Sequence, residues 1–180
     1  MRMANGYESA EANQGGQFEQ LPAGGYICKI KSVEDVQDRQ YLKIEYDITD
    51  GPKRGWYTEI FKRTGKWYGQ FCRSYKDSAV GFFKGFITAI VESNPGYKWE
   101  WAEQTLINKN IGLVLAYEEF INKDNNLRER VYVAQNRSTA AIKAGDFTVP
   151  ELKRLKEANA PKQAQGDAMR ETNTKMPWDD

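Results

Sequence analysis

Residues 42–48 alternate without a break: Leu42, Ile44, Tyr46 and Ile48 are apolar, and Lys43, Glu45 and Asp47 between them are polar. Period 2 places the two sets on opposite faces of a half-buried strand. The turn Asp50-Gly51-Pro52-Lys53-Arg54-Gly55 follows shortly after. It holds two glycines tolerant of positive φ, an Asp able to bond nearby backbone, and a Pro that fixes φ. Residues 56–61 resume in strand-favouring types, so residues 40–62 read as a hairpin. Upstream, the loop Leu21-Pro22-Ala23-Gly24-Gly25 leads into a first strand over residues 26–33, with Tyr26, Cys28 and Ile30 on one face.

Downstream, residues 63–76 (RTGKWYGQFCRSYK) are too glycine-broken and polar to assign to helix or strand. A helix is then clear: Phe83, Phe86, Ile87, Ile90 and Val91 form one apolar stripe. Asp77 or Ser78 is placed to cap it, and Asn94-Pro95-Gly96 to stop it. Trp99 and Trp101 lie in a connection without a readable period. Residues 111–117 are an almost continuous apolar run, as for a strand with little exposure. After a turn at Lys123-Asp124-Asn125-Asn126, residues 128–135 alternate again, with Val131 and Val133 facing one way and Arg128, Arg130 and Tyr132 the other. Residues 149–157, with Pro150 near the start, read as a short C-terminal helix. The pattern predicts a mainly β chain: a five-stranded OB-fold-like barrel with a helix between strands 3 and 4, the element order of a partly open Greek-key barrel.

Composition sets the limits of that domain. Among the 180 residues, 1–20 and 158–180 are polar and nearly free of apolar runs. Such segments bury too little surface to offset their ordering entropy. The expected organisation is a flexible arm at 1–20, one domain at 21–157 and a flexible tail at 158–180. No run approaches the ~20 apolar residues of a membrane span, and no signal-peptide core opens the chain, so a soluble cytoplasmic protein is expected. Cys28 and Cys72 form neither metal spacing nor a disulfide framework. Histidine, the commonest general base and metal ligand, is absent, and no cofactor is expected.

Net charge is only +1, yet unevenly spread. Residues 51–80 carry seven basic side chains against two acidic, and residues 34–50 six acidic against two basic. A polyanion would be held by a patch, not by the whole surface. Within residues 62–76, Lys62, Arg63, Lys66, Arg73 and Lys76 interleave with Trp67, Tyr68, Phe71 and Tyr75. Single-stranded nucleic acid is held by cations along the phosphates and aromatic faces for the bases, each stack contributing roughly 1–3 kcal/mol. The competing interpretation makes Trp67 and Phe71, four apart, core residues of a short helix. Arg128, Arg130 and Tyr132 form a second candidate patch beside the loop joining strands 4 and 5, which flanks the binding face of OB-folds. Glu45 and Asp47, on the outer face of strand 2, oppose such a patch.

The stretches LPAGGYICKIKSVED, YLKIEYDITDGPKRGWYTEIF, LINKNIGLVLAYEEF and AIKAGDFTVPELKRL resemble a family of bacteriophage replication-module proteins, OB-fold single-stranded-DNA-binding proteins and their relatives. The resemblance runs over residues 19–155. It rests on the glycine before strand 1, the Asp-Gly…Gly turn and the Gly-Asp-Phe…Pro segment. It implies binding of single-stranded DNA with little sequence preference, in phage replication or recombination, without catalysis. Bacterial single-stranded-DNA-binding proteins end in an acidic tail closing on Pro-Phe. Here Met176, Pro177, Trp178, Asp179 and Asp180 combine similar ingredients, with the acids after the aromatic, as a candidate motif for replication or recombination partners. Self-association is left open.

Two other classes compete. Asp47 or Asp50 with Glu59 and Lys62, on adjacent strands, would loosely match the acid-acid-lysine set of Mg²⁺-dependent nucleases. A pure protein-interaction module would use the barrel as scaffold and Trp99 and Trp101 as contacts.

Overall fold

The computed structural model describes residues 19–155. Nearly all of the expected N-terminal arm, the C-terminal tail and the motif at 176–180 lie outside the described residues. The chain forms five strands: β1 (Gly24–Val36), β2 (Tyr41–Ile48), β3 (Gln70–Ser74), β4 (Asn110–Ile121) and β5 (Leu127–Arg137). Three helices accompany them: α1 (Trp56–Thr64), α2 (Val80–Ser93) and α3 (Thr139–Ala144). All strands pair antiparallel in one sheet of order β3-β2-β1-β4-β5. The fold is therefore mainly β, with α2 between the third and fourth strands and a short helix after the fifth.

The sheet is not closed into a barrel, since β3 and β5 are both edges. The gap between them is bridged by side chains: Arg73 Nη2 donates to Asn136 Oδ1 at 2.9 Å. The core lies between the inner face of the sheet and α2. Leu42, Ile44, Tyr46 and Ile48 all point into it, as their alternation predicts. Ile30, Leu113 and Leu115 meet them from the neighbouring strands, and Phe83, Phe86 and Ile90 from the helix. Val91, expected in the helix stripe, faces out, while Ala89 and Ser93 face in. Neither Asp77 nor Ser78 caps α2 through its side chain; they form a 3-10 turn before it.

β1 runs longer than its alternation suggests because Lys31 is an extra residue, a bulge between the pairs Ile30–Tyr46 and Ser32–Glu45. The bulge shifts parity, so that Val33 rejoins the core. β4 is buried from Ile111 to Ala116, as a continuous apolar run requires. The outer face of β1 and β4 is covered here by Phe147 and α3: a Cβ on Gly25 would lie 2.4 Å from Phe147 Cζ, and one on Gly112 2.5 Å from Ile142 Cγ1. The glycine before strand 1 and the Gly-Asp-Phe segment are thus two sides of one contact.

Three elements differ from expectation. Residues 56–61 are not the return strand of a hairpin but the body of α1, and β3 arises in residues 70–74, which gave no clear pattern. The turn itself is as read: Gly51 and Gly55 have φ of 82° and 74°, and Asp50 Oδ1 accepts from Gly51 N at 2.8 Å. The C-terminal helix is α3, capped by Ser138 Oγ accepting from Ala141 N. Residues 149–155 are extended instead, with Lys153 bridging to Glu118 in parallel. Pro150 disfavours helical backbone at the residue before it.

Candidate nucleic-acid interface

The turn after β2 leaves α1 starting beside the strand it came from, and one side chain fixes the start. Asp47 Oδ1 accepts from Tyr57 N at 3.1 Å and Oδ2 from Thr58 N at 3.2 Å, with the Thr58 hydroxyl also donating. These are free amides of the first helical turn, and a carboxylate there also meets the positive end of the helix dipole. Asp47 is buried and off the surface, so it opposes no phosphate path. Glu59, expected on a strand, lies on α1 and pairs with Lys62 at 2.7 Å. Among the described residues no three or more acidic, Cys or His side chains gather for a metal ion.

α1 ends at Gly65, φ 68°, whose N–H returns to Phe61 O. The chain then crosses back under the helix through Gly69, where a Cβ would sit 2.4 Å from Tyr46 O and 2.6 Å from the Tyr57 ring. This crossing delivers Tyr68 to the surface, 55 % exposed, and Phe71 into the core. Phe71 packs edge-on to Tyr46 and Phe86, so it stacks on the protein and offers no face to a base. Trp67 is half-buried against Tyr57 and Phe61, its Nε1 donating to Gly69 O. Tyr75 donates to Asp35 Oδ1 at 2.8 Å and lies edge-on to Phe83.

Between the two edge strands opens a cleft of about 940 Å³. Tyr41 and Lys43 of β2, Trp56 of α1, Tyr68, and Phe71 and Arg73 of β3 line it from one side. Phe120 and Glu118 of β4 and Glu129, Arg130 and Tyr132 of β5 line it from the other. Of the residues expected to bind nucleic acid, the fold brings Tyr68, Phe71, Arg73, Arg130 and Tyr132 together here, from segments about sixty positions apart. Lys62, Arg63, Lys66, Trp67, Tyr75 and Arg128 do not line the cleft. Trp56 does line it, as do Lys43, Tyr41 and Phe120, to which sequence reasoning assigned no role. Phe120 faces Arg128 across the β4–β5 ladder, a register the strand patterns did not reach.

The cations of the cleft are engaged. Arg130 Nε lies 2.9 Å from Glu118 Oε1 and its guanidinium 4.9 Å from the Phe120 ring centroid. Lys153, from the extended C-terminal segment, reaches the same Glu118 at 3.7 Å and lies 5.7 Å from the Tyr132 ring centroid. Lys43 pairs with Glu34 at 3.6 Å. Arg73 sits over the Phe71 ring at 4.7 Å. Burial lowers its pKa to about 10, leaving it cationic at neutral pH. The cleft thus presents guanidinium groups and ring faces side by side, some of each already stacked on one another.

No protein-family model matches this chain, and no curated protein aligns with it significantly.

Proposed function

We propose that the protein binds single-stranded DNA with little sequence preference, protecting or presenting it during replication or recombination. The observation that carries this reading is the cleft between β3 and β5. Tyr68, Trp56, Phe120 and Tyr132 supply ring faces, and Lys43, Arg73 and Arg130 supply cations, within one open channel. Flat faces and cations in a groove, without a deep enclosed pocket, suit a flexible polyanion with planar bases. The strand order with its β3–β5 gap suits an OB-like domain, in which the face of strands 2 and 3 and the loop joining strands 4 and 5 form the binding side. The sequence resemblance to phage replication-module proteins supports the same reading, in the cytoplasm of a bacterial host.

The test is fluorescence anisotropy with labelled dT oligomers, at low and raised salt. The intact chain is compared with Tyr68→Ala/Arg130→Ala. Both side chains are exposed, so the variant keeps its fold by circular dichroism, which Phe71→Ala would not. The parent binds and weakens with salt, and the variant loses about fivefold or more, the lower end of one stacking contribution. No binding by the parent at low salt would sink the reading.

A non-enzymatic protein-interaction module is the second reading, favoured by Trp101. This side chain is 73 % exposed and stacked on Phe83 at 6.0 Å and 19°. A dry protein interface built on it would bind with little salt dependence.

A further inference from the structure

The gap between the edge strands does not end at Arg73. Beyond the Arg73–Asn136 bridge a second groove of about 510 Å³ continues between β3 and β5, and Cys72 and Arg73 line both. Its far wall is the start of α2, where Phe82 stands 80 % exposed, more than any other large apolar side chain described. Phe82 has no part in the buried face of α2, which is Phe83, Phe86, Ala89, Ile90 and Ser93. Gly81 and Gly85 flank it, and a Cβ on either would meet nothing within 4 Å. The helix wall is open on that side.

Charge distinguishes this groove from the first. Arg73 and Arg137 line it and no acidic side chain does, whereas Glu118 and Glu129 stand in the cleft. A sixth backbone strand would have to displace Arg73, whose Nη1 donates to Cys72 O on its own strand while Nη2 donates to Asn136 Oδ1 across the middle of the gap. A polyanion meets that guanidinium as a contact instead of an obstacle.

We propose that a single strand bound in the cleft continues past Arg73 into this groove, with Phe82 as a stacking platform for a base and Arg137 as a phosphate contact. The inference rests on the single-stranded-DNA reading of the cleft and extends it to a longer site. Short oligomers fill the cleft alone; longer ones reach Phe82.

The experiment uses the full chain and labelled dT oligomers of about 5 and about 15 nucleotides, spanning the site sizes known for OB-folds. Two variants are compared with the parent. Phe82→Ala removes the platform from an exposed position. Gly85→Gln fills the open wall, and it favours the helix, because glycine is the poorer helix former. Both variants keep the short-oligomer affinity within about twofold and lose about fivefold or more on the long one, as for one lost stack. Unchanged long-oligomer affinity in both variants overturns the extended path and leaves the cleft reading standing. Absence of binding by the parent to either length overturns both.

Discussion

A buried carboxylate is destabilising by several kcal/mol unless its oxygens are matched by donors. Asp47, 5 % exposed, meets that condition with four: the amides of Ile48, Tyr57 and Thr58 and the Thr58 hydroxyl. Asp47→Asn keeps the shape but turns an amide donor toward other donors and removes the charge. The expected cost is about 1–3 kcal/mol, read as a lower thermal midpoint, with the α1 amides losing hydrogen-exchange protection first. An unchanged midpoint would mean that α1 is held by its packing alone. Alternation along β2 places Asp47 with the solvent-facing residues, and its capping role was not legible there. Its helical partners begin ten positions on, across a turn whose direction no local pattern states. Phe71 is the converse: an aromatic among cations looks like a stacking residue, and only pairing with Ile44 turns it inward.

At the scale of elements, β2, β5 and α2 were legible because each carries one period, and β4 because its apolar run is nearly continuous. α1 was not, because Trp, Tyr, Ile and Phe favour strands while the helical signals lie around them. Gly55 and Gly65 bracket the segment, Glu59 lies in its first turn, and Lys62 and Arg63 lie in its last. β3 is only five residues long, with a polar outer face, and pairing with β2 defines it more than its own composition does. What lets β3 reach β2 is Gly69, whose carbonyl accepts from Tyr46 N at 2.8 Å while its α-carbon passes over the Tyr57 ring. Gly69→Ala forces a methyl against a backbone oxygen and a buried ring. We expect a loss of about 2 kcal/mol or more, in the range of overpacking plus a disturbed ladder bond, measured by urea unfolding. The exposed Gly85→Ala, in open helix, is the control and stabilises by roughly 0.5–1 kcal/mol. Similar midpoints for both variants would contradict the close crossing at Gly69.

For the whole molecule, a net charge of +1 gives no long-range pull on a polyanion, so binding depends on what the cleft presents locally. The cluster of cations at residues 62–76 was legible, but it divides: Arg73 enters the cleft, while Lys62 is spent on Glu59. Cleft cations of other segments, Lys43 and Arg130, join it through sheet topology, which no linear spacing encodes. If Lys43, Arg73 and Arg130 each neutralise one phosphate, log K should fall with log salt at a slope of about −2, from roughly −0.7 per phosphate on a single strand. Glu118 works against this. With 16 % side-chain exposure, it holds both Arg130 and Lys153 and lines the channel where a phosphate would pass. A bound strand must compete with that carboxylate for two cations. Glu118→Gln keeps the volume and removes the competitor, so affinity at low salt rises several-fold and the slope steepens by about 0.7, the share of Lys153, which the three cations above do not include. Arg128→Gln, two pairs along the same hairpin and outside the cleft, changes neither by a comparable amount. Tighter binding by Glu118→Gln alone would place the phosphates along the β4–β5 bank of the cleft, over the residues the fold has gathered there. An unchanged slope would instead move the strand to the other bank of the cleft, along Tyr41, Lys43 and Trp56.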